Sequence, residues 1–306
     1  MENGRTNGCL LLIDSHSLIH RAFHALPPLT TPDGRPAGAL YGLASMLLKI
    51  VKEGTACDGV PSFVAAAFDR PEPTRRKEEY DAYKGTRAKA PDELISQLIE
   101  ARTLVKKFAM AIFEEPGWEA DDIIATLARR AARKDMTVNV LSGDFDVLQT
   151  TVYGDVKVII SQRGINNIMI YDRKAAEERF GVPPERIADY KGLVGDASDN
   201  IPGAPGIGPK SAAALILRYG PIEKIYEHID EMGISEVKAQ DILVRHRTQV
   251  LLSKKLAVLH DDLPLSQGIE DCAWKQTEKD VYELESYFEE LGFKSLIPRM
   301  KRYYNY

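Results

Sequence analysis

The chain has 306 residues, 44% hydrophobic and 28% charged, a balance that suits a globular protein long enough to bury a full core. No run approaches the ~18 consecutive apolar residues of a membrane helix, and the polar opening Met1–Gly8 lacks the apolar stretch of a signal peptide. Three separated cysteines, Cys9, Cys57 and Cys272, make neither a disulfide framework nor a zinc spacing, so the reducing cytoplasm is the expected compartment. The net charge of −5 argues at first against a nucleic-acid partner.

From about residue 9 to 175, apolar strand-like runs alternate with helical patterns, as a parallel α/β sheet flanked by helices requires. Cys9–Ile13 reads as a strand closed by Asp14. Ala37–Glu53 follows as a helix, with Leu40, Leu43, Leu47, Ile50 and Val51 on one face. A second strand, Phe63–Phe68, is closed by Asp69. After the segment 70–90 comes a helix over Pro91–Phe108, with proline at its first turn. Glu119, Asp121 and Asp122 open another over Ala120–Lys134, and the strand Val138–Ser142 leads into Asp144 and Asp146. From about 172 to 260, short helices separated by Gly and Pro replace the strands, and Thr277–Tyr304 is helical again. The expected division is therefore an α/β core over 1–175 and a helical subdomain over 176–306.

Acids thus recur where buried strands end: Asp14, Asp69, Asp144 and Asp146, joined by Glu119, Asp121 and Asp122 at a helix start and by Asp196 and Asp199 in a turn. The carboxyl ends of a parallel sheet form one crevice, where ligands bind. Acids from five distant segments meeting there repel one another unless cations hold them, which points to divalent metal and phosphate chemistry. Any single cluster is explained as well by helix capping or a turn; their common position is not. With these nine acids set aside, the remaining 36 acidic groups face 40 basic ones, a mildly basic surface consistent with a polyanion.

Two segments add chemistry. Residues 70–90 carry seven basic and four acidic side chains with Tyr80 and Tyr83 but almost no aliphatic ones, so a mobile loop or weak helices over the crevice is expected. Cations beside aromatics suit single-stranded nucleic acid, and Arg21 lies close enough to Asp14 in sequence to hold a phosphate. In the second, Gly203, Gly206 and Gly208 allow a tight turn, Pro209 starts a helix through Ala212, Leu215 and Ile216, and Lys210 adds charge to its exposed amides. This resembles a helix-hairpin-helix, near 195–220, which grips a duplex backbone without reading sequence. His16, His20 and His24 align at helical spacing, but without HExxH they are discounted as a metal site.

Leu12-Ile-Asp-Ser15, Arg21-Ala-Phe-His24, Ala67-Phe-Asp69, Tyr83-Lys-Gly-Thr-Arg87, Glu119-Ala-Asp-Asp-Ile123, Ser142-Gly-Asp-Phe-Asp146, Gly195-Asp-Ala-Ser-Asp-Asn200 and Pro205-Gly-Ile-Gly208 occur in that order across nearly the whole chain. Together they resemble the 5′ nuclease (flap endonuclease) family, and within it the 5′→3′ exonuclease domain of bacterial DNA polymerase I. The resemblance implies a PIN-like, resolvase-like core with a helical arch, and structure-specific cleavage of 5′ flaps, 5′ ends and nicked or branched DNA, RNA primers on DNA included, in primer removal and repair. It implies one metal site from Asp14, Asp69, Glu119, Asp121 and Asp144 and a second from Asp146, Asp196 and Asp199, with Asp122 assisting. Two Mg²⁺ ions ~4 Å apart, replaceable by Mn²⁺, would activate water and stabilise the leaving oxygen. Lys84 and Arg87 would draw in the scissile phosphate, Tyr83 would stack on an unpaired base, and the Gly206 and Gly208 amides with Lys210 would hold duplex, with a K⁺ ion at the hairpin. The ending Phe288–Ile297 resembles the exit toward a polymerase, so a monomer that is part of, or partner to, a DNA polymerase I is expected. A PIN-like ribonuclease needs neither the basic arch nor the hairpin, and a non-enzymatic DNA binder needs no nine acids.

Overall fold

Six strands build one sheet: β1 (Cys9–Asp14), β2 (Phe63–Ala67), β3 (Ala111–Phe113), β4 (Thr137–Ser142), β5 (Val156–Ser161) and β6 (Ile168–Tyr171). Their order is β3-β2-β1-β4-β5-β6, every pair parallel except the antiparallel β5–β6 edge. The computed structural model describes residues 7–52, 57, 59–161, 168–233 and 236–304.

The period of two decides which core each strand residue enters. Leu11, Ile13, Val64, Ala66 and Phe68 join one cluster with helices Ser15–Ala25, Gly38–Leu47 and Asp92–Lys107. Leu10, Leu12, Ala65, Ala67 and Val140 enter the other, against helix Ala120–Ala132. Burial on both faces explains why β1 reads as an unbroken apolar run rather than an alternating one.

The expected helices form with small shifts. Pro91 becomes the residue before Asp92–Lys107, and Ala120–Lys134 ends at Ala132. The Ala37–Glu53 pattern becomes Gly38–Leu47 and then one wider turn, Leu48–Lys52; the side chain of Val51 and the expected end at Glu53 lie outside the described residues. Thr277–Tyr304 is two helices, Glu278–Glu290 and Leu296–Tyr304, separated where Gly292 takes φ +75.

A third core, built around Leu193, Ile207, Leu215, Ile216, Leu243 and Val250, belongs to the short helices after Val182. Beyond it the chain returns to the sheet. Leu263, Ile269 and Cys272 pack on one face, and Leu284, Phe288 and Met300 on the other. The tail, read from sequence as part of the helical subdomain, therefore completes both layers of the α/β core.

One expectation about cysteines is corrected. Cys9 and Cys57 are disulfide-bonded, with Cα atoms 6.2 Å apart, and only Cys272 is free among the described residues. The 48-residue separation gave no hint that the start of β1 meets the chain approaching β2. The cysteine count accordingly loses its bearing on compartment. Among the described residues no helix is long and apolar enough to cross a membrane.

Candidate metal centre at the strand ends

The strand order reverses direction between β1 and β4, so the carboxyl ends of β2, β1 and β4 lie side by side at a topological switch point. A cavity of about 1030 Å³ opens there, and Asp14, Asp69, Glu119, Asp121 and Asp144 all line it, with Arg21, Lys84 and Arg87. Five of the nine acids, from four sequence segments, thus line one cavity, while Asp122, Asp146, Asp196 and Asp199 do not line it.

Each acid is set by its element. Asp14, the last residue of β1, caps helix Ser15–Ala25 by accepting from the Ser17 amide, and Ser142 at the end of β4 donates to its other oxygen at 2.6 Å. Burial raises its carboxyl above the usual range, against the pull of those hydrogen bonds. Asp69 accepts the Ala120 amide at 2.7 Å and lies 3.7 Å from His16 Nδ1. Burial pushes Asp69 up, but His16, Lys84 and the Ala120 amide outweigh it and hold this carboxyl below its ordinary value.

Glu119 accepts from Lys84 Nζ at 2.8 Å, from Arg76 at 3.0 Å and lies 3.0 Å from the Tyr83 hydroxyl. Asp121 has one buried oxygen, Oδ1, with no hydrogen-bond partner, and Arg76 no nearer than 3.8 Å. Burial first, then neighbouring Asp122, raises its carboxyl well above the usual range. A buried carboxylate oxygen without a hydrogen bond, on a residue that lines the same cavity as Asp14, Asp69, Glu119 and Asp144, is an electron-pair donor that a divalent cation would satisfy.

The second cluster is organised by a residue the sequence reading missed. Lys191 Nζ bridges Asp146 and Asp196. Burial, only partly offset by Lys191 and worsened by Asp144, pushes Asp146 up to about 7. A lysine in the last turn of an apolar helix, five residues before Asp196, was the available signal. Asp199 lies instead against the arch, 2.5 Å from Arg87 and 2.9 Å from the Tyr83 hydroxyl. Among the described residues no three carboxylate, imidazole or thiol groups converge closely enough to hold an ion as they stand, because Lys84, Arg87 and Lys191 sit between them.

Three expectations change here. The segment 70–90 is not loosely attached: its helix Arg75–Glu79 and the turns after it bury Arg76 and Tyr83, and Asn200 donates to Ala82 O at 2.7 Å. Tyr83 is therefore spent on Glu119 and Asp199 and presents no free ring for base stacking. Asp122 is fully buried, held by Arg76 through both oxygens at 2.6 and 2.7 Å, and sits behind the crevice rather than lining it. Arg21 does reach the crevice, where its guanidinium meets the backbone carbonyls of Ser161 and Gly143.

Over residues 9–181 the sequence matches the family model of the 5′-3′ exonuclease N-terminal resolvase-like domain, and over 182–280 that of the 5′-3′ exonuclease C-terminal SAM fold. The chain belongs to the 5′-3′ exonuclease family. It is 40% identical over 292 residues to DNA polymerase I of Bacillus caldotenax and 36% identical over 291 to that of Bacillus subtilis, covering 95% of this chain in each case. It spans about a third of these relatives, 32% of either length. Among solved structures, the flap endonuclease of bacteriophage T5 in complex with DNA and metal ions aligns with TM-score 0.65 at 18% identity, over 97% of this chain and 98% of that one. The catalytic core of Rad2 with DNA substrate aligns at 0.59 and 18%, over 95% and 92%. At that identity the likeness is one of fold.

The hairpin of the chain is built by close backbone approach. Gly203 takes φ +62, and a Cβ there would stand 2.2 Å from the Gly195 nitrogen. Gly206 takes φ +100, Gly208 precedes helix Pro209–Tyr219, and Gly206 and Lys210 are exposed. Ala212, Leu215 and Ile216 face the core as the spacing predicts.

Proposed function

We propose that the chain is a structure-specific 5′→3′ exonuclease and 5′-flap endonuclease that hydrolyses DNA phosphodiester bonds with two divalent cations, Mg²⁺ or in its place Mn²⁺. The observation that carries this reading is the one cavity lined by Asp14, Asp69, Glu119, Asp121 and Asp144, with a buried Asp121 oxygen left without a hydrogen bond. These five residues would hold one cation, and Asp146, Asp196 and Asp199 the other. Bound there, the ions supply a nucleophilic water at neutral pH and charge neutralisation at the leaving oxygen.

The chain's own residues do the rest. Burial opposes the charge on Lys84, but Glu119, Asp199 and Asp69 hold its ammonium above the ordinary lysine range. It is therefore a permanent cation rather than a base, suited to a phosphate whose negative charge grows in the transition state. Arg87, its guanidinium half exposed beside Asp199, reaches the same phosphate from the arch. Arg21 lines the same cavity, held by the Ser161 and Gly143 carbonyls. The Gly206 and Gly208 amides with Lys210 bind duplex through phosphate and K⁺, which orients the substrate without reading bases. Acting as a monomer, within or beside a DNA polymerase I, such a centre removes primers and flaps in replication and repair.

End-labelled 5′-flap DNA and a matching RNA, each with Mg²⁺ and with chelator, test the reading. Divalent-dependent cutting of the DNA flap supports it. Cutting of the RNA alone points to a ribonuclease, and binding without cutting to a structural DNA binder.

A further inference from the structure

We infer that Arg76 and Asp122 form a positioning pair that locks the arch and the tail onto the Glu119–Asp121 turn, and that Asp122 ligates no metal. The inference rests on the nuclease reading and assigns roles within that site.

Counting donors and acceptors carries the argument. A guanidinium has five N–H groups in one plane. Those of Arg76 go to Asp122 Oδ2 (2.7 Å) and Glu119 Oε2 (3.0 Å) from one nitrogen, Asp122 Oδ1 (2.6 Å) and Val258 O (2.8 Å) from the second, and Leu256 O (3.0 Å) from the third. None is left over. Asp122 is equally saturated. Its Oδ1 also accepts the His260 amide at 2.9 Å and its Oδ2 the Glu119 amide at 3.3 Å, so each oxygen has two donors. An ionised carboxylate has about four lone-pair directions, and all four are used. A metal would have to displace a buried, bidentate arginine, while the adjacent Asp121 offers a buried oxygen with no hydrogen bond and Arg76 no nearer than 3.8 Å. Adjacent carboxylates on the first helical turn thus divide the work: one faces the crevice, the other anchors.

What Asp122 and Arg76 anchor is specific. Arg76 comes from the arch helix, Glu119 and Asp122 from the start of helix Ala120–Ala132, and Leu256, Val258 and His260 from the chain leaving helix Arg247–Ala257. Lys84, eight residues after Arg76, reaches Glu119 from the same arch. The pair therefore fixes where the catalytic cation stands relative to the carboxylates.

The test uses the full chain in four variants: Asp122→Asn, Asp121→Asn, Arg76→Lys, and the apolar exchange Arg76→Met with Asp122→Leu. Melting temperature reports folding, and a buried ion pair exchanged for apolar side chains is often neutral in stability. Mn²⁺ bound to DNA-free protein is measured by electron paramagnetic resonance, and kcat and KM on a 5′-flap substrate. Asp122→Asn and the exchange should bind Mn²⁺ within ~2-fold of the unmodified chain, whereas Asp121→Asn loses ~10-fold or more. Both Arg76 variants should lose ~10- to 100-fold in kcat with KM changed less than ~3-fold. Lysine keeps the charge but not the planar fork, so Arg76→Lys carries the kinetic test if the apolar exchange does not fold. A loss of Mn²⁺ by Asp122→Asn equal to that of Asp121→Asn overturns the inference, as does wild-type kcat in a folded Arg76 variant. An unmodified chain that does not cleave sinks the nuclease reading instead, and the Mn²⁺ comparison still decides the role of Asp122.

Discussion

Replacing Lys84 with alanine separates catalysis from folding more sharply than any other single change. Its Nζ lies 2.8 Å from Glu119 Oε1, and at an effective dielectric of ~20 that contact is worth about 6 kcal/mol before desolvation is subtracted. Little of it should appear as lost stability. Glu119 keeps Arg76 and the Tyr83 hydroxyl, each at 3.0 Å, so no buried charge is orphaned. A loss of about 1 kcal/mol is expected, or roughly 2 °C in melting temperature. The transition state has no such reserve. Removing a positioned donor from a site of developing charge costs about 2.7–4 kcal/mol, ~10²- to 10³-fold in rate. Single-turnover cleavage of a 5′-flap at saturating protein, with binding measured in calcium, reads the two effects apart. A Lys84→Ala protein that cleaves within ~3-fold of the unmodified rate refutes the reasoning.

Other outcomes follow from the same geometry. Asp144→Ala and Asp196→Ala should each abolish cleavage while leaving branched-DNA affinity in calcium within a few-fold; near-normal cutting by both removes the proposed site. Asp121→Asn should stabilise the protein in chelator by about 1 kcal/mol, because it removes a buried carboxylate with an unpartnered oxygen, and yet lose cleavage; chemical denaturation that finds it destabilised contradicts the fit to a cation. Gly203→Ala forces a Cβ to within 2.2 Å of Gly195 N and 2.6 Å of Val194 C at a positive φ, with backbone on the other side of the contact. It should cost at least ~3 kcal/mol of stability, and a loss under 1 kcal/mol would show that the hairpin is looser than described. Thiol titration of denatured, unreduced protein should find one free cysteine, and reduction should remove up to about 4 kcal/mol for a loop of this size; three thiols would exclude the Cys9–Cys57 bond.

The strand-end acids were legible because the signal is local. Asp14 directly follows a buried run, and that position in a parallel sheet dictates the crevice whatever the rest of the chain does. The hairpin was legible for the same reason, since Gly203, Gly206, Gly208 and Pro209 restrict the backbone where they stand. What escaped the sequence is tertiary pairing. The segment 70–90 has almost no aliphatic residues, so by hydrophobic periodicity it cannot pack; it packs through Arg76 and Tyr83, whose partners lie 36 to 182 positions away. Asp121 and Asp122 are indistinguishable as neighbours on paper, and only the direction of a helix's first turn sends one to the crevice and the other to Arg76. Lys191 was hidden because lysine in a short helix reads as solvated until its acid partners are placed around it.

The central claim is that the strand-end carboxylates form a divalent-dependent centre that cuts DNA at a structural junction. Mapping product length from a 5′-labelled flap of known junction, with Mg²⁺ and with chelator, for the unmodified chain and Asp144→Ala, tests it most directly. The account predicts products ending within a nucleotide or two of the junction, formed only with Mg²⁺ and only by the unmodified chain. Cleavage that persists in chelator or in Asp144→Ala, or products unrelated to the junction, would contradict it.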